Sequence, residues 1–507
     1  MTAPEEHYRK TKDLLLAIPK NEIGKWLLNE GYYPEQYVVP PCFQVKNALL
    51  RNTPFYSLDS KQNKPSRTEL EKISFPKSSL VDRTFGIYDF KIHHDIVWHM
   101  VNHWEEITEH LFHDSNKIYH YSFPIPMSSK KIGEMGELRA GRMIYEYIEM
   151  AEKDLLEESY NFDFILRTDI TSFYHSIYTH SIAWALHSKE TIRKGNFENY
   201  ELIGNKLDLL IRTSNDGCTN GIPIGPAISD LIAEIILAAV DRNVSEALSE
   251  SNIKFIGVRY KDDYRFLCDS KDDAHKIIKI LQRSLSKFHL TLNEGKSTIE
   301  SLPDGLFRTW KTLYQIHSLA KPKKISYKIF ENTVLRVMEI SKLYPHAGVI
   351  DKFLSEITDS KNHFKIEVNE RNIRKIISLL VHLKERRAKS FPQILAIIEA
   401  IYNDTEISGI KNIIDKFIKE QFELMLDDVD TNLYVILWMS YFIKSNNLFE
   451  LRIPNDISSK LLLSIGNSKQ ELFSYNDCNI YQNIESYYPS NSLLEYLKVF
   501  NRNKKRS

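Results

Sequence analysis

The most constraining feature of this sequence is a pair of short apolar segments separated by a polar tip that contains two consecutive acids. The segments Lys254–Val258 and Tyr264–Cys268 have the length and composition of β-strands, and Arg259–Asp263 lies between them. Strands separated by so few residues are expected to pair as an antiparallel hairpin. Asp262 and Asp263 would then stand at the tip. In isolation such a pair is typical of a simple turn, because aspartate favours turns.

A third acid ends another predicted strand, Phe162–Ile170, and changes how the pair is interpreted. Asp169 at a strand end and the two hairpin acids can converge across adjacent strands. Carboxylate oxygens are the ligands that hard divalent cations prefer. Two such ions about 4 Å apart can activate an attacking hydroxyl and neutralise a leaving pyrophosphate. The three acids therefore predict a two-metal site for Mg²⁺, with Mn²⁺ as the alternative ion.

Two further segments fit a reaction on nucleotides. Gly221–Leu231 reads Gly-Ile-Pro-Ile-Gly-Pro-Ala-Ile-Ser-Asp-Leu and leads into a predicted apolar helix, Ile228–Ala247. Its glycines let the backbone approach a ligand closely. After the hairpin, a predicted helix (Asp273–Phe288) and a predicted strand (Leu290–Leu292) lead to Lys296. That lysine would place an ammonium near the pyrophosphate, although an exposed lysine after a strand is an equally good interpretation.

In order and spacing these segments resemble the palm of reverse transcriptases. Motif A would be at Asp169, motif B at Gly221–Ser229, motif C at Tyr260–Asp263 and motif D around Lys296. The continuation of motif A, Ser172–Ile182, reads Ser-Phe-Tyr-His-x-x-Tyr-Thr-His-Ser-Ile. It is similar to the abortive-infection (Abi) polymerases, a bacterial anti-phage branch of reverse transcriptases. The length and the helical C-terminal region resemble the shorter, prophage-encoded type of that family.

The resemblance implies a template-independent, protein-primed DNA polymerase that acts in anti-phage defence. Its substrates would be dNTPs, and its single-stranded DNA product would stay covalently attached to a tyrosine of the homo-oligomeric protein. One alternative is a conventional templated reverse transcriptase of the retron or intron type, and another is a non-catalytic nucleic-acid-binding scaffold. Two residues depart from the templated pattern: Ile224 replaces a common glutamine, and Lys261 replaces the usual small or apolar residue before the acids.

The resemblance also implies roles for individual residues. Asp169 and Asp262 would bridge the metal ions, Asp263 would support them, and Lys296 would act as general acid or charge clamp. The ring of Tyr174 would clash with a 2′-hydroxyl and so favour deoxynucleotides. The other residues expected at the nucleotide are Gly221, Pro223, Gly225, Ser229, Lys130, Arg139 and Arg142. For the three cations a solvated basic face is an equally good interpretation. The candidates for the priming tyrosine are Tyr8, Tyr32, Tyr33 and Tyr37.

A change of pattern along the chain predicts three regions. Because 507 residues exceed what one core usually organises, we expect an N-terminal fingers region (1–120), a fingers-palm core (121–305) and an α-helical C-terminal domain (306–507). The first includes a predicted helix at Asp95–Phe112. The last is compatible with a HEAT-like stack or an irregular bundle. The predicted class is therefore α+β, with a reverse-transcriptase-like fingers and palm followed by an all-α domain.

Composition limits the partners. Lys+Arg and Asp+Glu each number 67, so the formal net charge is +0. Nucleic-acid binding through bulk positive charge is excluded, whereas a local basic groove is not. The four cysteines contain no C-x-x-C pair, which suits a reducing cytoplasm. No apolar run has the length of a membrane span, so we expect a cytoplasmic protein with no membrane partner.

Overall fold

The computed structural model describes most of the chain, and its residues separate into two compact units. The described residues are 1–45, 47–59, 63–77, 81–127, 144–345, 347–405, 407–454, 458–467, 472, 493–497 and 500. One unit contains Met1–Pro34, Val45–Glu71 and Gly86–Phe307. The other contains Glu35–Gln44, Lys72–Phe85 and Arg308–Ser507. We call them the first and the second unit.

The described residues contain seven strands, which form two sheets. They are β1 (Glu71–Pro76), β2 (Asp82–Ile87), β3 (Ile118–His120), β4 (Phe164–Asp169), β5 (Phe255–Tyr260), β6 (Asp263–Cys268) and β7 (Thr298–Ser301). Strands β1 and β2 pair with each other, and the other five form one sheet in the order β3-β5-β6-β4-β7. In that sheet β3 runs parallel to β5, whereas β4 is antiparallel to β6 and β7, and β5 is antiparallel to β6. The predicted hairpin is therefore β5–β6, and β4 lies beside it.

Eleven α-helices are described in the first unit. They are α1 (Ala3–Ala17), α2 (Lys20–Asn29), α3 (Phe90–Asn102), α4 (Trp104–Leu111), α5 (Ile144–Glu158), α6 (Phe173–Ser176), α7 (Ser181–His187), α8 (Lys189–Arg193), α9 (Ile203–Thr213), α10 (Ala227–Glu250) and α11 (Lys271–Ser286). Helix α10 is apolar on nearly every side and lies against α4, α7 and α11. A helix that is hydrophobic all round belongs in a core, so α10 is the helical centre of this unit.

Two local predictions were wrong. The helix expected at Asp95–Phe112 is two helices that meet at His103, whose φ of −110° and ψ of 24° leave the helical region. The Asn102 amide donates to the Trp98 carbonyl, and the His103 ring bonds to the His99 carbonyl, so side chains satisfy the end of α3. The strand expected at Leu290–Leu292 makes only an isolated bridge from Leu292 to Ile170. The sheet instead recruits β7 at its edge, next to β4.

In the second unit the described residues from 308 onwards form helices with a few isolated β-bridges. The α-helices are α12 (Thr309–Gln315), α13 (Tyr327–Leu343), α14 (Val349–Glu356), α15 (Ile373–Arg386), α16 (Phe391–Asp404), α17 (Ser408–Leu426), α18 (Val429–Ser445), α19 (Lys460–Gly466) and α20 (Leu493–Tyr496). Their apolar faces form the core of this unit, and Tyr434 of α18 also donates a hydrogen bond to the Tyr37 carbonyl at 2.7 Å. No helix in the described part of either unit is long and apolar enough to span a bilayer.

Candidate active site

Three predicted acids lie at the same end of the central strands. Asp169 is the last residue of β4 and Asp263 the first of β6, and the two are direct partners in the antiparallel register. Side chains of such partners project from the same face of a sheet. Asp262 is one of the two residues that connect β5 to β6, and its carbonyl accepts a hydrogen bond from the Ile170 amide at 3.2 Å. The register therefore brings the three predicted acids to the same end of the sheet, where β4 ends and β6 begins. We call this end of the sheet the edge.

The hairpin tip has a specific conformation. Lys261, the first of its two connecting residues, has a φ of +52°. A positive φ at this place is typical of two-residue hairpin turns, because it matches the twist of the flanking strands. The Lys261 amide donates to the Ser122 hydroxyl at 2.9 Å, and the Arg259 guanidinium donates to the Lys261 carbonyl at 3.0 Å. Bonds on both sides of the residue thus hold the tip that presents the acids.

The acids oppose one another's ionisation. Burial, and next the charge of Asp169, raise the pKa of Asp262 to about 6. Burial also raises the pKa of Asp263, against the opposing effect of Arg265, which donates to Asp263 Oδ2 at 3.4 Å. Neighbouring carboxylates that disfavour each other's charge are stabilised by a cation between them. The electrostatics of the edge therefore favour a positively charged ligand.

In this conformation the ammonium group of Lys296 partly balances the negative charge of the acids. Its Nζ lies 2.6 Å from Asp169 Oδ2, and its side chain is 58% exposed. The turn Glu294–Lys296 is placed there because the Asn293 amide donates to the Asp169 carbonyl at 2.7 Å. The structure therefore brings the predicted lysine onto a predicted acid.

The donor set fits a divalent cation in its chemistry. Within the described ranges, no three or more His, Cys, Asp or Glu side chains are already gathered as a metal cluster. All three acids supply carboxylate oxygens, which are what Mg²⁺ prefers, and burial, together with the neighbouring carboxylates, raises the pKa values of Asp262 and Asp263. A cation that bound Asp169 through Oδ2 would have to displace the Lys296 ammonium.

Beneath the hairpin lies a buried ionic network that the sequence reasoning missed. The Arg259 guanidinium donates to Asp241 Oδ2 at 2.9 Å and to the two oxygens of Glu234 at 3.2 and 2.9 Å. The Tyr264 hydroxyl donates to Asp241 Oδ1 at 2.8 Å, and the Ser122 hydroxyl donates to Glu234 Oε1 at 2.5 Å. The sequence did contain a signal for it: an arginine lies near the end of an apolar strand, and two acids seven residues apart share one face of an apolar helix.

This network connects α10 to the hairpin that carries Asp262 and Asp263. The Arg259 side chain is 0% exposed, and Glu234 and Asp241 are 2% and 1% exposed. Burial disfavours the charge of Glu234, but Arg259 outweighs it, so the pKa of Glu234 lies below its ordinary value. Burial raises the pKa of Asp241 to about 6, although Arg259 opposes the rise. Since Arg259 also holds the Lys261 carbonyl, the same guanidinium anchors both the helix and the hairpin tip.

The glycine loop of the predicted motif B packs against the segment after Asp169. The Gly221 amide donates to the Ile177 carbonyl at 2.8 Å, and the Ile222 amide donates to the Tyr174 carbonyl at 2.9 Å. Gly221 has a φ of +83°, which favours glycine, and a Cβ there would lie 3.2 Å from the His175 carbonyl oxygen. Glycine at 221 therefore lets the loop follow this path without strain, and another residue would be strained there.

The other predicted nucleotide residues have different surroundings. Pro223 is buried and lies so close to Gly86 that a Cβ added at Gly86 would clash with it. Gly225, with a φ of +130°, is partly exposed. Ser229 is fully buried, and its hydroxyl lies 3.1 Å from that of Tyr88. The Tyr174 hydroxyl donates to Asp230 Oδ1 at 2.5 Å. Lys130, Arg139 and Arg142 lie outside the described residues.

The four candidate priming tyrosines are mostly enclosed. Tyr8, Tyr32 and Tyr33 are 7%, 0% and 5% exposed. The Tyr8 hydroxyl donates to the Leu111 carbonyl at 2.7 Å, and the Tyr32 hydroxyl donates to the Tyr88 carbonyl at 2.7 Å. Tyr37 is partly exposed, with the Lys389 ammonium 4.2 Å from its ring centre. For the first three, attack on a nucleotide would require local opening of the first unit.

Part of the chain is similar to known proteins. Residues 109–330 match the family model described as reverse transcriptase (RNA-dependent DNA polymerase). The retron Se72 reverse transcriptase of Salmonella heidelberg (strain 579083-10) is 23% identical over 278 residues, which are 53% of this chain and 65% of that protein. The match thus spans slightly less than two thirds of the curated relative.

Telomerase structures are also similar to this chain. Apo telomerase from Candida tropicalis has a TM-score of 0.35 and 12% identity, covering 75% of this chain and 69% of that one. Telomerase from Candida albicans in complex with a fragment of telomeric RNA has a TM-score of 0.29 and 12% identity, covering 75% and 67%. Residues 109–330 therefore form a reverse-transcriptase-like domain, of the kind found in DNA-polymerising nucleotidyltransferases.

Proposed function

We propose that this protein is a template-independent, protein-primed DNA polymerase whose reaction takes place at Asp169, Asp262 and Asp263. The observation that supports this site is the register of β4 and β6, which pairs Asp169 with Asp263 and puts Asp262 at the same edge. Asp169 and Asp262 would hold two divalent cations, with Asp263 in support. When bound, these cations supply activation of the attacking hydroxyl and neutralisation of the pyrophosphate.

The proposed step is the transfer of a nucleotidyl group to a hydroxyl. An oxygen of a tyrosine, and later the 3′-oxygen of the growing strand, forms a bond to the α-phosphorus of a dNTP. The bond from that phosphorus to the pyrophosphate breaks, and the hydroxyl proton passes to a base in solution. Lys296, which lies on Asp169 in this conformation, would move to the departing pyrophosphate and offset its charge.

Synthesis without a template is supported by the residues that depart from the templated pattern. Ile224 is partly exposed and presents only a hydrocarbon side chain, while its carbonyl accepts from the Gly86 amide at 3.0 Å. Isoleucine cannot make the hydrogen bonds that glutamine makes. A tyrosine primer, a role in anti-phage abortive infection and a homo-oligomeric state are proposed from the similarity of Ser172–Ile182 to the Abi polymerases.

A templated reverse transcriptase is the second candidate. The relative that favours it is named a retron reverse transcriptase. The two candidates share the carboxylate site and differ in what sets the product sequence. In the second candidate an RNA template sets it, and the primer is a nucleic acid.

The test is an incorporation assay on the purified full chain. Each labelled dNTP is supplied singly with Mg²⁺, first without template or primer and then with a primed RNA. Products are separated on a denaturing gel with and without protease treatment. Asp262→Asn removes one proposed ligand, and Asp269→Asn is the matched control, because Asp269 is an exposed acid beyond the far end of β6 that pairs with Lys254.

Protease-sensitive label on the wild type and on Asp269→Asn, but not on Asp262→Asn, is the expected result. Peptide mapping would then identify the priming tyrosine. Label that appears only with primed RNA, in a sequence complementary to it, would replace the proposal by the second candidate. If the wild type labels nothing in either arm, polymerisation at this site is refuted.

A further inference from the structure

One carboxylate joins the three predicted motifs around the place expected for the nucleotide sugar. Asp230 Oδ1 accepts a hydrogen bond from the Tyr174 hydroxyl at 2.5 Å and another from Lys261 Nζ at 3.2 Å. Tyr174 is in α6, five residues after Asp169, while Asp230 is in the first turn of α10 and Lys261 is at the hairpin tip. We call Tyr174, Asp230 and Lys261 the sugar-side triad.

The triad is built into the protein. The side chains of Asp230 and Lys261 are 12% and 23% exposed, and the Lys261 ammonium lies 5.8 Å from the centre of the Tyr174 ring. Hydrogen bonds to a charged group in such a partly buried place are stronger than those between neutral groups. Lys261 is one of the two departures from the templated pattern, and the structure directs it to Asp230.

We propose that Asp230 and Lys261 are positioning residues for sugar selection: they hold the Tyr174 ring at the angle that excludes a 2′-hydroxyl. This inference rests on the proposed function and extends it. Lys261 would contribute by its pairing with Asp230, in place of a contact with metal or nucleic acid.

The backbone of Tyr174 is already held, so only its side chain is left to fix. Its carbonyl accepts from the Ile222 amide at 2.9 Å, which leaves rotation about the side-chain bonds as the main freedom. An aromatic ring has two such torsions. The bond from its hydroxyl to Asp230 restricts both, and the bond from Lys261 Nζ to the same oxygen helps to keep the acceptor in place. Loss of either partner should let the ring turn and admit a ribonucleotide.

The test compares kcat/KM for a dNTP with that for the matching rNTP. Tyr174→Phe keeps the ring and removes the donor, Asp230→Ala removes the acceptor, and Lys261→Met removes the ammonium. We expect the first two to lower the dNTP preference by about tenfold, the factor that corresponds to one hydrogen bond of ordinary strength. The double variant should lower it no further, because both changes break the same contact. Lys261→Met should give a smaller fall.

A matched control removes a phenol–carboxylate bond elsewhere. The Tyr327 hydroxyl donates to Glu331 at 2.9 Å within helix α13, and Tyr327→Phe should leave the sugar preference unchanged. Thermal melts verify that each variant is folded, and Tyr174→Phe and Lys261→Met keep most of the native side-chain volume.

These variants distinguish a failure of the sugar-selection inference from a failure of the proposed polymerase function. If Tyr174→Ala loses the preference while Tyr174→Phe and Asp230→Ala keep it, the ring selects the sugar without the tether, and the inference is overturned while the proposed function stands. If Tyr174→Ala also keeps the preference, Tyr174 does not contact the sugar and the inference fails. A wild type that incorporates no nucleotide refutes the proposed function itself.

Discussion

The buried guanidinium of Arg259 allows a prediction with a definite size and sign. Arg259→Met keeps an unbranched side chain of similar length but leaves Glu234 and Asp241 as buried carboxylates without their cation. Removing one partner of a buried ion pair costs about 3–5 kcal/mol. In a unit of about 250 residues or more each kcal/mol shifts the melting temperature by roughly 2 °C. The transition that includes the first unit should therefore fall by roughly 6–10 °C at pH 8.

The loss should depend on pH in a known direction. Burial already raises the pKa of Asp241 to about 6 in the presence of Arg259. Without the guanidinium, the folded-state pKa of Asp241 should rise further, and that of Glu234 should rise from its lowered value. A carboxyl group whose pKa is higher in the folded state costs stability only as pH rises above its unfolded value, which is near 4. The deficit of Arg259→Met should thus be smaller at pH 5 than at pH 8.

The assay is a thermal melt of the full chain at both pH values, followed by intrinsic fluorescence. Arg283→Met is the matched control, because Arg283 is exposed on α11, and surface changes usually stay within about 0.5 kcal/mol. The triple variant Arg259→Met, Glu234→Gln, Asp241→Asn should lose most of the pH dependence. An equal deficit at pH 5 and pH 8, or no deficit, would refute the claim that Arg259 balances two buried charges.

Three other changes have distinct expected outcomes. Asp262→Asn should abolish incorporation yet raise the melting temperature in EDTA at pH 8, because burial and Asp169 disfavour the ionised acid; the gain should vanish at pH 4, where the acid is protonated in the folded state, and a gain unchanged at pH 4 would contradict the cause. Lys296→Met should lower kcat and also lower the Mg²⁺ concentration for half-maximal rate, since Lys296 competes for Asp169; a Mg²⁺ titration that shows no such split would exclude competition. Gly221→Ala should cost about 1–2 kcal/mol in denaturant unfolding, because its φ is +83°, and a neutral result would mean that the loop shifts freely.

The sequence alone determined which residue types stand at strand ends and where the principal helix and hairpin begin. Alternation of apolar segments predicted β4, β5 and β6, and the long apolar run predicted α10 within a few residues. The placement of Asp169, Asp262 and Asp263 followed from these local patterns. Once two strands are known to pair, their register fixes which residues lie at the strand ends. The roles of the three acids stay predictions that the incorporation assay tests.

Only the tertiary structure decided which segments pair and what the polar residues contact. Thr298–Ser301, not Leu290–Leu292, became the edge strand next to β4, and the sequence between Asp95 and Phe112 broke into two helices at His103. Pairing of this kind depends on competition between distant segments, which local periodicity does not record.

The same holds for the polar contacts that organise the site. Arg259 meets acids 18 and 25 residues away, and Tyr174 meets one 56 residues away. A single charged residue in an apolar segment can face solvent, a ligand or a buried partner of opposite charge. Exposure to solvent is excluded only when the folded structure shows that the side chain is buried. Sequence therefore determined the chemistry that is available at this edge, and the fold decided that Lys261 contacts Asp230 and that Arg259 supports the hairpin.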